Sequence, residues 1–416
     1  MSLLFACIIV IWTFISNDMS AQDIFKAVEE GELATVKTII TNDPRQVHSL
    51  DADSMTAVHY AAISGNLDIL KLLHDSGASL DRHNADGETP LHYAAFLGKA
   101  NIVEYLLTQE DDIEQKTNYG KTALDFAYIS ENLETIELLK DNGAYDPPVP
   151  LPDVLKLSDT ICRILIPLEE PPNSIIYKGN DSVLLVDTGW LRTGPVLKNY
   201  IEGMNNGKIE YLINTHLHPD HKGGNSIADP NTIIINEDNL EETAAKGVIK
   251  LAAGRLTGRT GKYFDTYYTM HYNEEQIQLI PSPGVHTDAD MMVYFTDSKI
   301  VHTGDLLITE SFPSVTVEVD KYIEILEKIQ DIFPDGTTLV GGHGKVIDIH
   351  EVQEYKEVLV DVLNFVRTGI QNKRTKQDIK NDTILLKYES YNNFIPQLSV
   401  DYWIEAIFRK EEQMNN

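Results

Sequence analysis

The chain has 416 residues and a formal net charge of −30 at pH 7, from 34 Lys and Arg against 64 Asp and Glu. This length predicts two or three domains with packed cores. An acidic surface repels the phosphate backbone, which excludes nucleic acid as an expected partner or substrate.

The amino-terminal segment, residues 3–15, is almost continuously apolar and is followed by small and polar residues. This run is too short to cross a bilayer comfortably, but its length is typical of a signal-peptide core. We therefore predict a signal peptide over residues 1–21 and export to a periplasm or the exterior. A short membrane anchor is the alternative, and no integral membrane domain is expected. Removal of Cys7 would leave Cys162 as the one cysteine, which excludes an internal disulfide and a thiolate pair at a metal site.

An internal repeat occupies residues 22–146. Residues 56–62 recur at 89–95 and again from residue 122, with a spacing of 33 residues each time (89 − 56 and 122 − 89). A 33-residue period of one turn and two helices resembles ankyrin repeats. The resemblance implies an all-α solenoid that holds a protein partner, with residues 24–40 as a divergent first repeat. His59 and His92 match the ankyrin histidine position, so we interpret them as structural residues.

A proline-rich segment, residues 147–154, follows the repeats. Four prolines between residues 147 and 152 exclude a helix and predict a stiff, extended linker. Beyond it, short apolar runs bounded by turn residues predict strands. These strands are predicted at residues 174–177, 182–186, 209–213, 277–280, 291–295, 299–303 and 337–340, with a helix at 195–204.

Residues of the types that ligate metals follow these strands. Three imidazoles and a carboxylate fall between His216 and His221, directly after an apolar strand. His286, Asp305 and His343 follow later strands in the same way. Neutral imidazole and carboxylate are the usual ligands of zinc and similar divalent ions. The strand ends therefore predict a metal site at one edge of a sheet.

The order of these motifs closely resembles the metallo-β-lactamase superfamily over about residues 155–350. The matching motifs are Asp187 at a strand end, His-x-His-x-Asp-His from His216, a lone His286, Gly304-Asp305, and Gly-His-Gly around His343. The resemblance implies an αββα sandwich with a dinuclear site at its edge. By motif position it implies that one ion binds His216, His218 and His286, and that the other binds Asp220, His221 and His343. Asp305 would bridge the two ions and Asp187 would orient their ligands, whereas His302 is interpreted as structural.

The resemblance implies a hydrolase with two Zn²⁺, although a bridging carboxylate also admits iron or manganese. A metal-bound hydroxide would attack a small ester, thioester or lactone, and Asp220 would be essential for hydrolysis. Asp305 stands where a large group of β-lactamases has cysteine, which favours thioesterases of the glyoxalase II type and lactonases. Hydrolysis of β-lactam antibiotics remains one alternative. The other is an ankyrin-based binding protein whose metal domain is structural.

Two regions have less specific patterns. Residues 237–275 are long for a plain connection, and Tyr263, Tyr267 and Tyr268 would line a substrate pocket if this segment folds over the metals. The alternative is a surface helix pair whose aromatic side chains pack onto the sandwich. In the carboxyl-terminal region, residues 351–416, helices predicted at 352–366, 378–388 and 400–410 would cover the sandwich.

Overall fold

A computed structural model describes residues 24–109, 112–168, 170–204, 207–314, 319–391 and 398–414. The predicted signal peptide lies outside these residues. The chain divides into two compact units, and the boundary falls between Pro148 and Val149. Within the described ranges, no helix has both the length and the apolar character that crossing a membrane requires.

The first unit is helical, and its helices come in pairs separated by about one repeat length. The first helices of successive pairs contact one another and their apolar side chains are buried, as a stack of repeats requires. The helices of the described residues are Ile24–Glu29, Leu33–Asn42, Ala57–Ser64, Leu67–Asp75, Pro90–Phe96, Ala100–Thr108, Ala123–Ile129 and Leu133–Asp141, with a 3₁₀ turn at Pro44–His48.

A threonine–histidine pair caps the first helix of two repeats. His59 Nδ1 accepts from the backbone N–H of Thr56 at 3.1 Å, and His92 repeats this contact with Thr89. The Nε2 atom of each ring lies 3.2 Å from a carbonyl oxygen 29 residues further on, that of Glu88 or Lys121. These buried histidines therefore join successive repeats and are not available as ligands.

The second unit is built on two sheets. The strands of the first sheet are β1 Asp153–Lys156, β2 Ile161–Leu165, β3 Asn173–Lys178, β4 Val183–Val186, β5 Ile209–Ile213 and β6 Ile233–Ile235. Those of the second are β7 Lys250–Leu251, β10 Tyr268–Tyr272, β11 Glu275–Pro281, β12 Met291–Phe295, β13 Ile300–Ile308, β14 Thr338–His343 and β15 Ile347–Asp348. The first sheet has the order β1-β2-β3-β4-β5-β6 and the second the order β15-β14-β13-β12-β11-β10-β7. A separate hairpin pairs β8 Leu256–Thr257 with β9 Tyr263–Phe264.

Alternating residues of the central strands face different cores. In β4, Leu184 and Val186 pack into the core between the sheets with Ile277 and Val293 of the second sheet. Leu185, between them, packs into the outer core of the first sheet. Because both faces are covered, β4 is apolar at every position, as strands buried on both sides usually are.

Helices form the two outer layers, which completes an αββα sandwich. Gly194–Glu202 covers the first sheet, where Leu197 and Ile201 enter its outer core. The second sheet is covered by Val319–Ile332, Glu351–Gln371 and Val400–Met414, which share one apolar cluster. Shorter helices are Pro219–Lys222, Leu240–Ala245 and Lys376–Lys380, and 3₁₀ turns lie at Leu191–Thr193, Gly223–Ile227, Glu237–Asn239 and Thr383–Tyr391.

Several predicted boundaries differ from the structure. The strand predicted to end before Gly304 continues as β13 to Ile308, with register shifts on both sides of Gly304. The helix predicted at 378–388 is interrupted, because the Asp382 carboxylate accepts from the Ile384 N–H at 3.1 Å and starts a 3₁₀ turn. The linker is shorter than the predicted residues 147–154, because β1 begins at Asp153.

The segment 237–275 contains one short helix, Leu240–Ala245, followed by short strands, in place of the helix pair considered as an alternative. Its β8–β9 hairpin is attached to the carboxyl-terminal half of helix Val319–Ile332, where the Thr260 N–H donates to Asp331 at 2.8 Å. Lys262 pairs with Glu327 on the same helix. These contacts fix the hairpin on the outer layer of the second sheet.

Candidate metal centre

The first sheet contributes one half of the site at the carboxyl ends of two parallel strands. Asp187 follows β4, and the motif that starts at His216 follows β5. The motif turns into the short helix Pro219–Lys222, whose backbone is held where Thr188 N–H donates to the carbonyl of His221 at 2.7 Å. This turn places the His221 ring beside that of His216, with their centroids 4.2 Å apart.

The second sheet contributes the other half. His286 follows β11, Asp305 lies within β13, and His343 is the last residue of β14. All three are almost completely buried. The two sheets are joined at this edge where the Met291 N–H donates to the Thr215 carbonyl at 2.8 Å.

The first group of side chains consists of His216, His218, His286 and Asp305, whose potential ligand atoms all lie within 4.8 Å of one another. Nδ1 of His218 is 3.1 Å from Nε2 of His216 and 3.0 Å from Nε2 of His286. Asp305 Oδ2 is 3.3 Å from Nε2 of His286 and 3.8 Å from Nε2 of His216.

The second group consists of Asp220, His221, Asp305 and His343, which meet the same 4.8 Å limit. Asp220 Oδ2 is 3.1 Å from Nε2 of His343 and 3.6 Å from Nε2 of His221. Asp305 now contributes its other oxygen, since Oδ1 is 3.2 Å from Nε2 of His221 and 3.6 Å from Nε2 of His343. One carboxylate thus directs an oxygen into each group.

The spacing of these atoms fits a divalent ion. Ligands about 2.1 Å from a tetrahedral ion lie roughly 3.4 Å from each other, which is close to the distances within both groups. Three buried atoms of the second group of residues, Asp220 Oδ1, His221 Nε2 and Asp305 Oδ1, have no hydrogen-bond partner in the described part of the chain. Unpaired buried polar atoms are costly unless a ligand satisfies them.

Four histidines are oriented by contacts of their other ring nitrogen. Nδ1 of His221 lies 2.7 Å from Asp187, and Nδ1 of His216 lies 3.1 Å from Thr215 Oγ1. Nδ1 of His286 and of His343 each lie 3.2 Å from a backbone carbonyl, that of Ser314 and that of Pro171 respectively. A proton on Nδ1 leaves Nε2 as the ligand atom, which is how metal-binding histidines are usually held.

Asp187 connects the two ends of the segment from Thr215 to His221, which we call the opening motif. Its buried carboxylate accepts from the Thr215 N–H at 2.8 Å and from the Thr215 hydroxyl at 2.7 Å, in addition to its contact with His221.

His302 was predicted from sequence to be structural. Its Nε2 atom lies 2.9 Å from the Asn173 carbonyl oxygen, and its Nδ1 atom accepts a hydrogen bond from the Gly304 N–H. Both of its nitrogens are therefore occupied outside the two groups.

The electrostatics of the second group favour positive charge. Burial lowers the pKa of His221, but the carboxylates of Asp305 and Asp220 outweigh it and raise this pKa well above its ordinary value. The pKa of His343 is raised in the same way against burial. Burial raises the pKa of Asp220, yet His221 and His343 outweigh it and lower this pKa to about 2. A divalent cation would replace the protons that these carboxylates attract.

Two supporting residues, Asp290 and Asn173, were missed from sequence. The buried Asp290 accepts from the N–H groups of His286 and Thr287, at 2.8 and 2.7 Å. The buried Asn173 donates to the carbonyls of Gly341 and Gly344, both at 3.0 Å. Asp290 stands only four residues after His286, so the sequence could have indicated its contact with this histidine. Asn173 is distant in sequence from Gly341 and Gly344, and its contacts could not be anticipated in this way.

Two of the three tyrosines proposed to bind substrate, Tyr267 and Tyr268, are not brought to the cluster. Tyr268 is buried in the core between the sheets, and Tyr267 packs against the outer core of the second sheet. The backbone of Tyr263 pairs with Thr257 in the β8–β9 hairpin, and its side chain lies outside the described part of the structure. These positions favour a packing role for Tyr267 and Tyr268.

Comparison with known families agrees with both halves of this architecture. Residues 24–117 and 81–148 match ankyrin repeats, and residues 168–234 match the metallo-beta-lactamase superfamily. The chain is 28% identical to the beta-lactamase-like protein 2 homolog of Caenorhabditis elegans over 223 residues, which are 49% of this chain and 68% of that protein. It is 32% identical to the ankyrin repeat and SAM domain-containing protein 6 of Danio rerio over 68 residues, 16% of this chain and 9% of that one.

Proposed function

Because the chain carries ankyrin repeats and a metallo-β-lactamase superfamily domain, we propose that it is a metal-dependent hydrolase of small carbonyl compounds. The observation that supports this most directly is the Asp305 carboxylate, which directs Oδ2 to one group of histidines and Oδ1 to the other. Two cations that share such a carboxylate would lie close enough to act on one substrate.

In this proposal His216, His218 and His286 hold one cation, and Asp220, His221 and His343 hold the other. The donor set of five imidazoles and two carboxylates suits zinc, and iron or manganese would also fit it. Two cations bound there would supply a water that is activated near neutral pH and would polarise the substrate carbonyl.

The protein's own side chains then have separate tasks. Asp187 and the carbonyls of Ser314 and Pro171 keep the ring nitrogens in the orientation that leaves Nε2 free. Asp220 Oδ2 faces His343, whereas its Oδ1 is buried and has no hydrogen-bond partner among the described residues. We assign to this Oδ1 the hydrogen bond that orients the attacking water.

Esters, thioesters and lactones are the substrate class that we propose. Asp305, instead of a cysteine, occupies the shared position, and this favours these substrates over β-lactams. Cys162 is half-buried on β2, where its thiol faces the carbonyl of Ile176, and burial raises its pKa. A protonated thiol in that position is not a suitable nucleophile.

We further propose that the ankyrin repeats bind a protein partner and that the protein is exported to a periplasm or the exterior. The support for export is the apolar run of residues 3–15. Amino-terminal sequencing of the protein recovered from each cell fraction tests it, and an intact Met1 in the cytoplasmic fraction alone would contradict it.

The test of the hydrolase proposal uses the full chain purified without chelator. We expect about two equivalents of divalent metal and turnover of at least one member of a panel of thioesters, lactones, aryl esters and cephalosporins. The Asp220→Ala variant should lose turnover by at least about 100-fold, because a group needed for both metal binding and water orientation is removed.

His271→Ala is a suitable control, since His271 is exposed on β10 and belongs to neither group. It should retain metal and activity. A wild-type chain that binds no metal would contradict the hydrolase proposal and favour the binding-protein alternative. Wild-type turnover by Asp220→Ala would contradict the role of Asp220 alone.

A further inference from the structure

The chain places an asparagine of the first sheet against the loop that carries His343 of the second. Asn173, the first residue of β3, is completely buried. Its side-chain amide donates to the carbonyl of Gly341 and to that of Gly344, each at 3.0 Å. These two carbonyls lie on either side of His343, so one amide group fixes the backbone before and after this side chain.

The residues just before Asn173 act on the same histidine. The Pro171 carbonyl lies 3.2 Å from His343 Nδ1, and Pro172 forms an isolated antiparallel bridge with His343. Three consecutive residues, Asn173 and the two that precede β3, thus hold one potential ligand of the second cation group. Asn173 Oδ1 has no hydrogen-bond partner in the described residues, so the two donated bonds are the polar contacts that this side chain makes.

The first cation group has a separate support. The Asp290 carboxylate is 2% exposed and accepts from the N–H groups of His286 and Thr287. A third bond, from the Thr287 hydroxyl at 2.7 Å, closes the loop around it. His286 belongs only to the first group, as His343 belongs only to the second.

We propose that Asn173 and Asp290 are positioning residues of opposite specificity: Asn173 sets the affinity of the second cation group through His343, and Asp290 sets that of the first through His286. The inference rests on the proposed function, because it assumes that both groups bind metal. Neither residue is among the side chains that would contact a cation. Loss of outer contacts of this kind usually weakens metal binding about 10- to 100-fold.

The test is a titration of the metal-free full chain with Co²⁺, followed by visible absorption, and with Zn²⁺ in competition with a chromophoric chelator. The first group has three imidazoles and one carboxylate, and the second has two imidazoles and two carboxylates. Co²⁺ bound to them should therefore give different absorption bands. His286→Ala and His343→Ala provide the reference spectra for loss of the first and of the second group.

We expect Asn173→Ala to reproduce the spectral change of His343→Ala in weaker form, with the affinity for one equivalent reduced about 10- to 100-fold and the other retained. Asp290→Asn should instead follow His286→Ala. Ser174→Ala is the matched control, because Ser174 is the next buried residue of β3 and should leave both affinities unchanged. Asn173→Ser is the substitute if Asn173→Ala does not fold.

Equal weakening of both equivalents by Asn173→Ala, or unchanged binding in the folded variants, would overturn the inference while leaving the proposed function intact. A wild-type chain that takes up no Co²⁺ or Zn²⁺ would instead overturn the proposed function, and the inference with it.

Discussion

At the scale of single residues, Asp187 combines an unusual backbone with an unusual number of contacts. Its φ is +56°, a left-handed conformation that aspartate and asparagine tolerate better than most residues. In this conformation the carboxylate reaches both Thr215 and His221, which belong to the two ends of the opening motif. The strained backbone of Asp187 thus allows its carboxylate to orient the ligand side chains.

Asp187→Asn should weaken metal binding by about 10- to 100-fold without unfolding the domain. The amide keeps the volume and tolerates the same φ, but its NH₂ group cannot accept hydrogen bonds from His221 and Thr215. Competitive Zn²⁺ titration measures the effect. Asp181→Asn, in the exposed turn before β4, is the control, and equal affinities in the two variants would contradict the prediction.

Gly342 leaves the space that the shared carboxylate occupies. A Cβ atom at this position would lie 1.9 Å from Asp305 Oδ1. Gly342→Ala should therefore displace Asp305 and reduce the binding of both cations, in contrast to the selective variants above. Metal content after dialysis checks this. Gly203→Ala, where the nearest atom is 3.4 Å away, should keep the metal, and a fully loaded Gly342→Ala would show that Asp305 is not shared.

At the scale of secondary structure, the two capping histidines make the ankyrin unit sensitive to acid. Burial lowers the pKa of His59 and of His92 to about 4. The unfolded chain protonates these rings below about pH 6.5, whereas the folded unit keeps them neutral. Their contribution to stability is therefore complete above pH 6.5 and is lost as the pH falls toward 4. Over this range each histidine lowers the free energy of unfolding by up to about 1.4 kcal/mol per pH unit.

Hydrogen exchange of helices Ala57–Ser64 and Pro90–Phe96, corrected for intrinsic rates, should report faster opening at pH 5 than at pH 7.5. The double variant His59→Gln, His92→Gln should be less stable at pH 7.5 but should lose less on acidification. The same pH dependence in the variant and the wild type would contradict the assignment to these rings.

Elements with a strong period were predictable, whereas those set by tertiary contacts were not. The 33-residue repeat identified the helix pairs, and the turn residues between two apolar runs identified β3 and β4. The length of β13 was missed, because Gly304 adopts a positive φ against Thr215 and the strand resumes beyond it. The β8–β9 hairpin was missed as well, since its contacts to Asp331 are some 70 residues away along the chain.

At the scale of the whole molecule, the seven proposed ligands all lie in the second unit, which also contains Trp190 and Trp403. A ligand present at 1,000 times its dissociation constant stabilises the folded state by about 4 kcal/mol. We therefore expect chelation to lower the unfolding temperature seen by tryptophan fluorescence. The exchange rates of the ankyrin helices should not change, and their acceleration by chelator would contradict the prediction.

The potential ligands of the metal centre were easier to predict from the sequence than most of the residues that position them. Motif order was sufficient to identify the seven side chains that lie together, because each follows or lies within an apolar strand. The residues that position them were harder to recognise. Asn173 is 168 residues from Gly341, and nothing in its immediate sequence suggests a contact with the opposite sheet.

The division of the donors between the sheets has a consequence for any shortened version of the protein. Residues 168–234, the part that matches the superfamily, carry His216, His218, Asp220 and His221, whereas His286, Asp305 and His343 come from the later half of the fold. Neither half alone can complete either cation group. A bound ion would therefore reach its full set of ligands only after the two halves have come together. Metal retention would then report correct assembly during refolding.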